Sequence, residues 1–466
     1  MLVRVWLLLV CYSWVFAVQA QTIRVDSVVI QGNVKTKEAV ILRQMAVVAG
    51  DTFQIGDLEA IKATCRENIY NLGLFTRVEL DTEWGPNGLL IWVRLQERWF
   101  VLPQPYLALE ERTFNEWWAD KDLDRLVYGL GVNWQNVSGW NDNLFVYAQN
   151  GYSRRLTVEF TRPFLFPKPQ IDGTFSFYYT NNKEIGFGTR GGILQLARLG
   201  TGRIRESFIG EAMFGKRFSA RKQLQFTLGF KSFHVHDSLL LLDTLQPNLS
   251  QFYLTDGAIR EQYPFYELNF VNDQRDMKAF PLSGYKFNLF CGGFGLPGWG
   301  SSFFGKAGFG FSHHVPVSRR WNFAYGHQSF FLLGKKVPYY DKFFIGFEHF
   351  LRGFEPYVVD GSWVALTKAE WKYAIIPRKF VHLKRVPFKR FQDMPLGFYL
   401  SLFSDAGHVR DHTFNNLDPF LKNRLLLGYG MGLNFFTIYD SLVRVEYSRN
   451  NLSGWGVYLS ALVSIQ

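Results

Sequence analysis

The chain has 466 residues, a net charge of +11 and 18% aromatic residues, among them 46 Phe, 22 Tyr and 14 Trp. Beyond its first two dozen residues there is no run of about 18 apolar residues, which excludes a transmembrane helix. An aromatic content this high, with a mean hydropathy near zero at -0.06, suits a membrane β-barrel: alternate residues face lipid, and Trp and Tyr form the interfacial girdles.

The N-terminus reads as a secretory signal over residues 1–20. Arg4 supplies the positive region, Trp6 to Ala17 the apolar core, and Val18-Gln19-Ala20 a cleavage site before Gln21. An uncleaved anchor is the alternative, but the apolar run is shorter than the roughly 20 residues a spanning helix needs. Val10 before Cys11 is too large for lipidation. Behind a secretory signal the positive charge points to anionic lipid headgroups or a polar lumen, not to nucleic acid. Cys65 and Cys291 fall in different expected domains, so no disulfide is expected.

Residues 21–98 read as one small α+β domain in the order β-α-α-β-β. Val25–Ile30 is a strand closed by Gln31-Gly32-Asn33. Thr36 is the expected N-cap of a helix through Met45, and Gly50-Asp51-Thr52-Phe53 a loop. Asp57 is the expected cap of a second helix, on which Leu58, Ile61, Cys65, Ile69 and Leu72 recur at helical spacing. Cys65 therefore belongs to the core. Gly73 stops that helix. Strands follow at Arg77–Glu83 and Leu89–Leu95.

Residues 99–466 alternate in many places. Leu425, Leu427, Tyr429, Met431, Leu433 and Phe435 interleave with Leu426, Gly428, Gly430, Gly432 and Asn434; Leu224 to Phe230, Leu156 to Phe160 and Val443 to Tyr447 follow the same rule. A soluble sandwich also alternates, but roughly 370 residues are too many for one, and its core would not bury charges unpaired. At about 23 residues per strand and turn the region makes about 16 antiparallel strands. The stretch Asn181–Arg217 is ambiguous. Gly186–Gly191 and Gly293–Gly298 match GxGxxG but open no helix. His234-Val235-His236-Asp237 and His313-His314 read as polar loop or turn residues before metal ligands. No cofactor, metal or catalytic centre is expected.

Several motifs carry a resemblance. Ile30-Gln31-Gly32-Asn33, Gly50-Asp51-Thr52-Phe53 and Asn71-Leu72-Gly73-Leu74-Phe75 resemble a POTRA module, the periplasmic polypeptide-transport domain. Asn272-Asp273-Gln274-Arg275-Asp276 followed by Phe280-Pro281-Leu282-Ser283-Gly284-Tyr285 resembles a strand–turn–strand signature of the BamA/TamA superfamily of outer-membrane insertases. Leu351-Arg352-Gly353-Phe354 resembles that superfamily's inward-folded loop, near 351–357 here, and Glu370 and Asp405 match its luminal acids.

The resemblance implies an outer-membrane barrel with a periplasmic POTRA that captures unfolded client strands by β-augmentation. It further implies outer-membrane lipids and accessory lipoproteins as partners. On the same resemblance, a weak seam is expected between the first strand, within Phe100–Thr113, and the last, within Gly454–Gln466. Only one POTRA fits, where general assembly machines carry several. The chain ends in Gln466 where an aromatic residue is usual, and Tyr458 is the expected interfacial anchor instead. A dedicated two-partner-type secretion pore, a structural or passive pore and a barrel enzyme are the alternatives.

Overall fold

The computed structural model describes residues 22–110, 121–198, 202–219, 221–237, 258–278, 280–334, 337–346, 349–382, 393–411, 420–436 and 442–462. The expected signal and the last four residues lie outside these. The chain divides into two compact units, Met1–Leu102 with Asn133–Leu144, and Pro103–Val132 with Phe145–Gln466.

The first unit contains β1 (Thr22–Gln31), α1 (Glu38–Leu42), β2 (Thr52–Gln54), α2 (Leu58–Asn71), β3 (Phe75–Gly85) and β4 (Gly88–Glu97). Its sheet runs β2-β1-β4-β3, with β1 and β4 parallel. Val25, Ile41, Cys65, Ile69, Phe75 and Val93 are fully buried between sheet and helices. Gly32 takes φ +88°, and a Cβ there would lie 1.9 Å from the Leu95 carbonyl oxygen, so only glycine fits this crossing. Asn33 Nδ2 donates to the Thr36 carbonyl at 3.1 Å. Gly50 and Gly73 also have positive φ, Gly73 just past α2, between Leu72 and the start of β3 at Phe75.

Three local expectations need correction. The first helix is only Glu38–Leu42, and Thr36 does not cap it. The Thr36 hydroxyl donates to Glu97 Oε1 at 2.6 Å and accepts from Asn136 Nδ2 at 2.8 Å, so a tertiary partner claims the oxygen that a cap would have used. Asp57 closes a short 3₁₀ turn in helical geometry and makes no side-chain cap bond. The expected loop around Gly50–Phe53 contains β2, which pairs with the start of β1.

The rest of the described chain is built on a 16-stranded antiparallel sheet, most of which belongs to the second unit. In chain order the strands are β5 (Val101–Leu109), β6 (Leu126–Gln135), β7 (Asn143–Gly151), β8 (Ser153–Phe166), β9 (Ile171–Asn182), β10 (Glu184–Arg190), β11 (Ile193–Arg198), β12 (Arg205–Ser219), β13 (Lys222–Val235), β14 (Arg260–Asp273), β15 (Gly284–Leu296) and β16 (Trp299–Pro316). There follow β17 (Trp321–Leu333), β18 (Phe343–Ile345), β19 (Val359–Gly361), β20 (Trp363–His382), β21 (Asp393–Arg410), β22 (Leu425–Phe436), β23 (Leu442–Asn450) and β24 (Trp455–Leu462). β10–β11 and β18–β19 are separate two-stranded pairs; the rest form the large sheet, whose order ends in β24 on one side and β5 on the other. Among the described residues no ladder joins those two strands.

Alternation sets the two faces. On β22, Leu425, Leu427, Tyr429, Met431, Leu433 and Phe435 are exposed, while Leu426, Asn434 and Phe436 are buried. Large apolar side chains standing outward on strand after strand are what a hydrocarbon surround requires. No helix among the described residues is long and apolar enough to cross a membrane. The ambiguous 181–217 stretch resolves into the end of β9, the β10–β11 hairpin and β12. The histidines lie largely on strands: His234 is on β13 with His236 just past its end, and His313 and His314 are on β16. Among the described residues no group of three His, Cys, Asp or Glu side chains could hold a metal.

Candidate functional site: a luminal arginine latch

The segment between β17 and β20 folds into the barrel and is tied down at three points. At the first, Asp341 is buried and accepts from Lys306 Nζ at 2.6 Å and Lys231 Nζ at 3.4 Å, and from the Tyr263 hydroxyl. At the second, Lys342 donates to Asp411 Oδ2 at 3.1 Å, and Lys422 bridges Asp360 and Asp411 at 3.1 and 3.3 Å. Thr189 of the β10–β11 hairpin donates to Asp360 at 2.7 Å, and the Val358 N–H donates to the Gly192 carbonyl at 2.8 Å.

The third point holds Leu351-Arg352-Gly353-Phe354. Leu351 and Phe354 are buried with Ile345, Val364, Val409 and Leu426. Arg352 is 8% exposed. Its Nε and Nη2 donate to Asp405 Oδ2 and Oδ1 at 2.8 and 2.6 Å, a bidentate fork, and its backbone N–H reaches the same carboxylate at 3.3 Å. Nη1 lies 3.7 Å from Glu370 Oε2 and 3.5 Å from Glu446 Oε1. The guanidinium lies over the Phe403 ring, 3.9 Å from its centroid. One cation thus meets carboxylates from β20, β21 and β23. On β21, Tyr399, Ser401, Phe403 and Asp405 are all buried, whereas Leu400 and Leu402 face outward.

Backbone fit completes the latch. Gly353 has φ +87°, its N–H donates to Glu355 Oε2 at 2.8 Å, and its carbonyl accepts from Asn450 Nδ2 at 2.6 Å. The loop can lie this close to the wall because β22 presents Gly428 there. The structure thus adds Glu446, Phe403, Asn450 and Gly428 to Arg352, Asp405 and Glu370. Sequence alternation marks Glu446 and Gly428 as non-lipid-facing, but not which strands neighbour the loop.

The strand–turn motif lies at the other end of the barrel, where β5 begins and β24 finishes, and does not touch the latch. Arg275 pairs with Asp273 at 2.7–2.8 Å; Gln274 donates to Asn272 Oδ1 at 2.9 Å; Asp276 Oδ1 accepts from the Leu282 and Ser283 N–H groups at 3.0 and 3.2 Å. Gly284 has φ +91° at the start of β15. This turn also folds inward. Phe280 is 2% exposed, 4.9 Å from the Tyr399 ring and 6.4 Å from that of Phe436. Lys372 lies over Phe280 at 4.4 Å and donates to the Pro281 carbonyl at 3.2 Å. Phe280 opens the Phe280–Tyr285 motif, though no local signal shows that it folds inward, and Lys372 lies outside every motif.

A cavity of about 710 Å³ is lined by Arg352, Glu355, Lys368, Glu370, Arg444 and Tyr458, among others. Tyr458 shares the inward face of β24 with Gly456, and Trp455, Val457 and Leu459 point outward. The expectation that Tyr458 anchors the interface is therefore corrected: strand parity turns it into the lumen, and Trp455, 70% exposed, is the outward aromatic of this strand.

The family model for the Omp85 superfamily domain matches residues 136–437, and that for POTRA, a surface antigen variable number repeat, matches residues 23–96. The chain belongs to the Omp85 superfamily, as a member with one POTRA domain. Its structure is similar to the crystal structure of BamA from Haemophilus ducreyi lacking POTRA domains 1–3, at 15% identity and a TM-score of 0.64, over 94% of this chain and 84% of that one. It is also similar to CdiB from Escherichia coli (11% identity, TM-score 0.50, 96% and 90% of the two chains) and from Acinetobacter baumannii (13%, 0.51, 94% and 73%). At these identities the likeness is one of fold. No curated protein matches the sequence.

Proposed function

We propose that this chain is an outer-membrane insertase that folds client β-barrel proteins, with its POTRA domain in the periplasm and no chemical reaction involved. The observation that carries this reading is the distribution of Arg352's partners. Asp405, Glu370 and Glu446 belong to β21, β20 and β23, so the latch gathers the wall that leads to β24. Releasing the guanidinium would break its bidentate pair with Asp405 and its contacts with Glu370 and Glu446, so latch and wall move together. A change at the latch is then felt at the edge where a client strand would add. The unfolded client is captured first by the POTRA sheet through strand addition. Accessory lipoproteins and outer-membrane lipids are the further partners.

A second reading, dedicated export of one client, is favoured by the charged cavity of about 710 Å³ beside the latch, which an export path would use. Depletion followed by quantitative profiling of the outer membrane separates the two. Loss of many unrelated barrels supports insertion. Loss of one surface protein with other barrels intact supports export. A passive or structural pore would leave both unchanged.

A further inference from the structure

β5 borders the barrel's β24–β5 junction and carries two prolines in the run Val101-Leu102-Pro103-Gln104-Pro105-Tyr106-Leu107. The direction of their missing N–H groups can be read from the β5–β6 register. The Gln135 N–H donates to the Phe100 carbonyl at 2.7 Å, and the Glu110 N–H donates to the Arg125 carbonyl at 2.9 Å. Both pairs sum to 235 (100 + 135 and 110 + 125), so the register is unbroken between them. Gly131 lies against Gln104, the same sum. In an antiparallel pair alternate residues turn both backbone groups to the same neighbour. Phe100, Leu102, Gln104, Tyr106, Ala108 and Glu110 therefore face β6. Val101, Pro103, Pro105, Leu107 and Leu109 present their backbone groups to the opposite edge, the β24 side.

Both prolines thus fall on the junction edge, where a ladder with β24 or with a client strand would form. Proline has no N–H to give. Between Pro103 and Leu107 this edge offers three carbonyls and one N–H. Any strand laid along it can donate, but two of its own carbonyls in succession find no donor. Within a hydrocarbon layer an unmatched backbone group is heavily penalised. Proline on an edge strand is a known means of blunting it against continuous pairing.

We propose that Pro103 and Pro105 make the β5 edge an acceptor-rich half-ladder that limits how firmly the β5–β24 seam, or any strand added at β5, can zip. The partner this edge fits is an extended strand with an uninterrupted row of N–H donors, held firmly enough to register and loosely enough to leave. The consequence for clients rests on the lateral-seam reading given above; the claim about the seam itself does not.

The test uses the full-length protein with Cys291→Ser, a cysteine at Leu107 and a second at Val457 or Leu459. Oxidative cross-linking is compared in that background alone, with Pro103→Val/Pro105→Val, and with Leu109→Pro, which extends the gap on the same edge. Each variant is first checked for wild-type heat-modifiable migration; Pro103→Val and Pro105→Val singly serve if the double variant does not fold. Two restored donors should speed cross-linking on the order of tenfold, and Leu109→Pro should slow it. Equal rates in all three overturn the proposal, whatever client yields are found. Faster cross-linking with undiminished client assembly would uphold the role of the prolines and count instead against the lateral-seam function.

Discussion

A Cβ built on Gly428 would lie 1.7 Å from the carbonyl oxygen of Arg352. The inward loop and β22 are therefore in backbone contact, and no side chain fits between them. Ordinary heavy-atom contact is roughly 3.5 Å, so Gly428→Ala must part loop and wall. This single methyl should reproduce the effect of removing the arginine: the loop becomes cleavable by protease while the barrel still migrates as folded. Gly210→Ala, at a position with nothing within 4 Å, is the control and should behave as wild type.

Arg352 and Asp405 should act as one unit. Each is nearly or fully buried, and removing either breaks the bidentate pair. Arg352→Ala or Asp405→Asn alone is expected to cost about 3–5 kcal/mol in urea unfolding in detergent, and the double variant clearly less than the sum. Glu446→Gln, farther from the guanidinium at 3.5 Å, should cost less than Asp405→Asn. Additive losses would mean that the bidentate pair does not carry the latch.

How far this site could be read from sequence follows from where its information lies. Arg352, Asp405 and Glu370 sit in short motifs that resemble those of the superfamily, so the resemblance exposes them, and parity places Asp405 inward. The barrel follows from the same alternation, and its strand count from the length of the region at about 23 residues per strand and turn. Glu446, Asn450 and Gly428 are inward by parity too, but their proximity to Arg352 depends on strand order and on the loop's path, which no local pattern encodes. Thr36 and Asp57 fail for the opposite reason: both have good cap chemistry locally, and tertiary contacts or a 3₁₀ turn override it. Tyr458 suits the interface by residue preference, but parity within β24 outweighs that preference.

The Phe280 turn is expected to be a second, separable closure of the lumen. Phe280→Ala empties an aromatic cage and should cost about 3–5 kcal/mol. Lys372→Met keeps the volume but removes the bond to the Pro281 carbonyl. In planar bilayers both should raise conductance, and Phe280→Ala should not expose the Arg352 loop to protease. Unchanged conductance in both would show that the turn does not occlude the lumen.

The Asp341 anchor should weaken only in strong acid. Burial pushes the Asp341 carboxyl up, but Lys231, Lys306 and the Tyr263 hydroxyl outweigh burial and hold it down to about 2. Its folded value lies below the unfolded value near 3.9. The stabilisation is therefore complete above about pH 4 and is lost as pH falls through about 2. Hydrogen exchange at residues 339–345 should rise across that window in the wild type. Asp341→Asn should start from the higher exchange and lack the step.

The most direct measurement of the central claim is client folding in a reconstituted system. The purified protein in phospholipid vesicles is mixed with a urea-denatured barrel client, and folding is followed by heat-modifiable migration. Wild type should accelerate folding, and Arg352→Ala, inserted to the same level and itself folded, should lose most of that acceleration. Equal acceleration by both, or none by the wild type, would contradict a latch-controlled insertase.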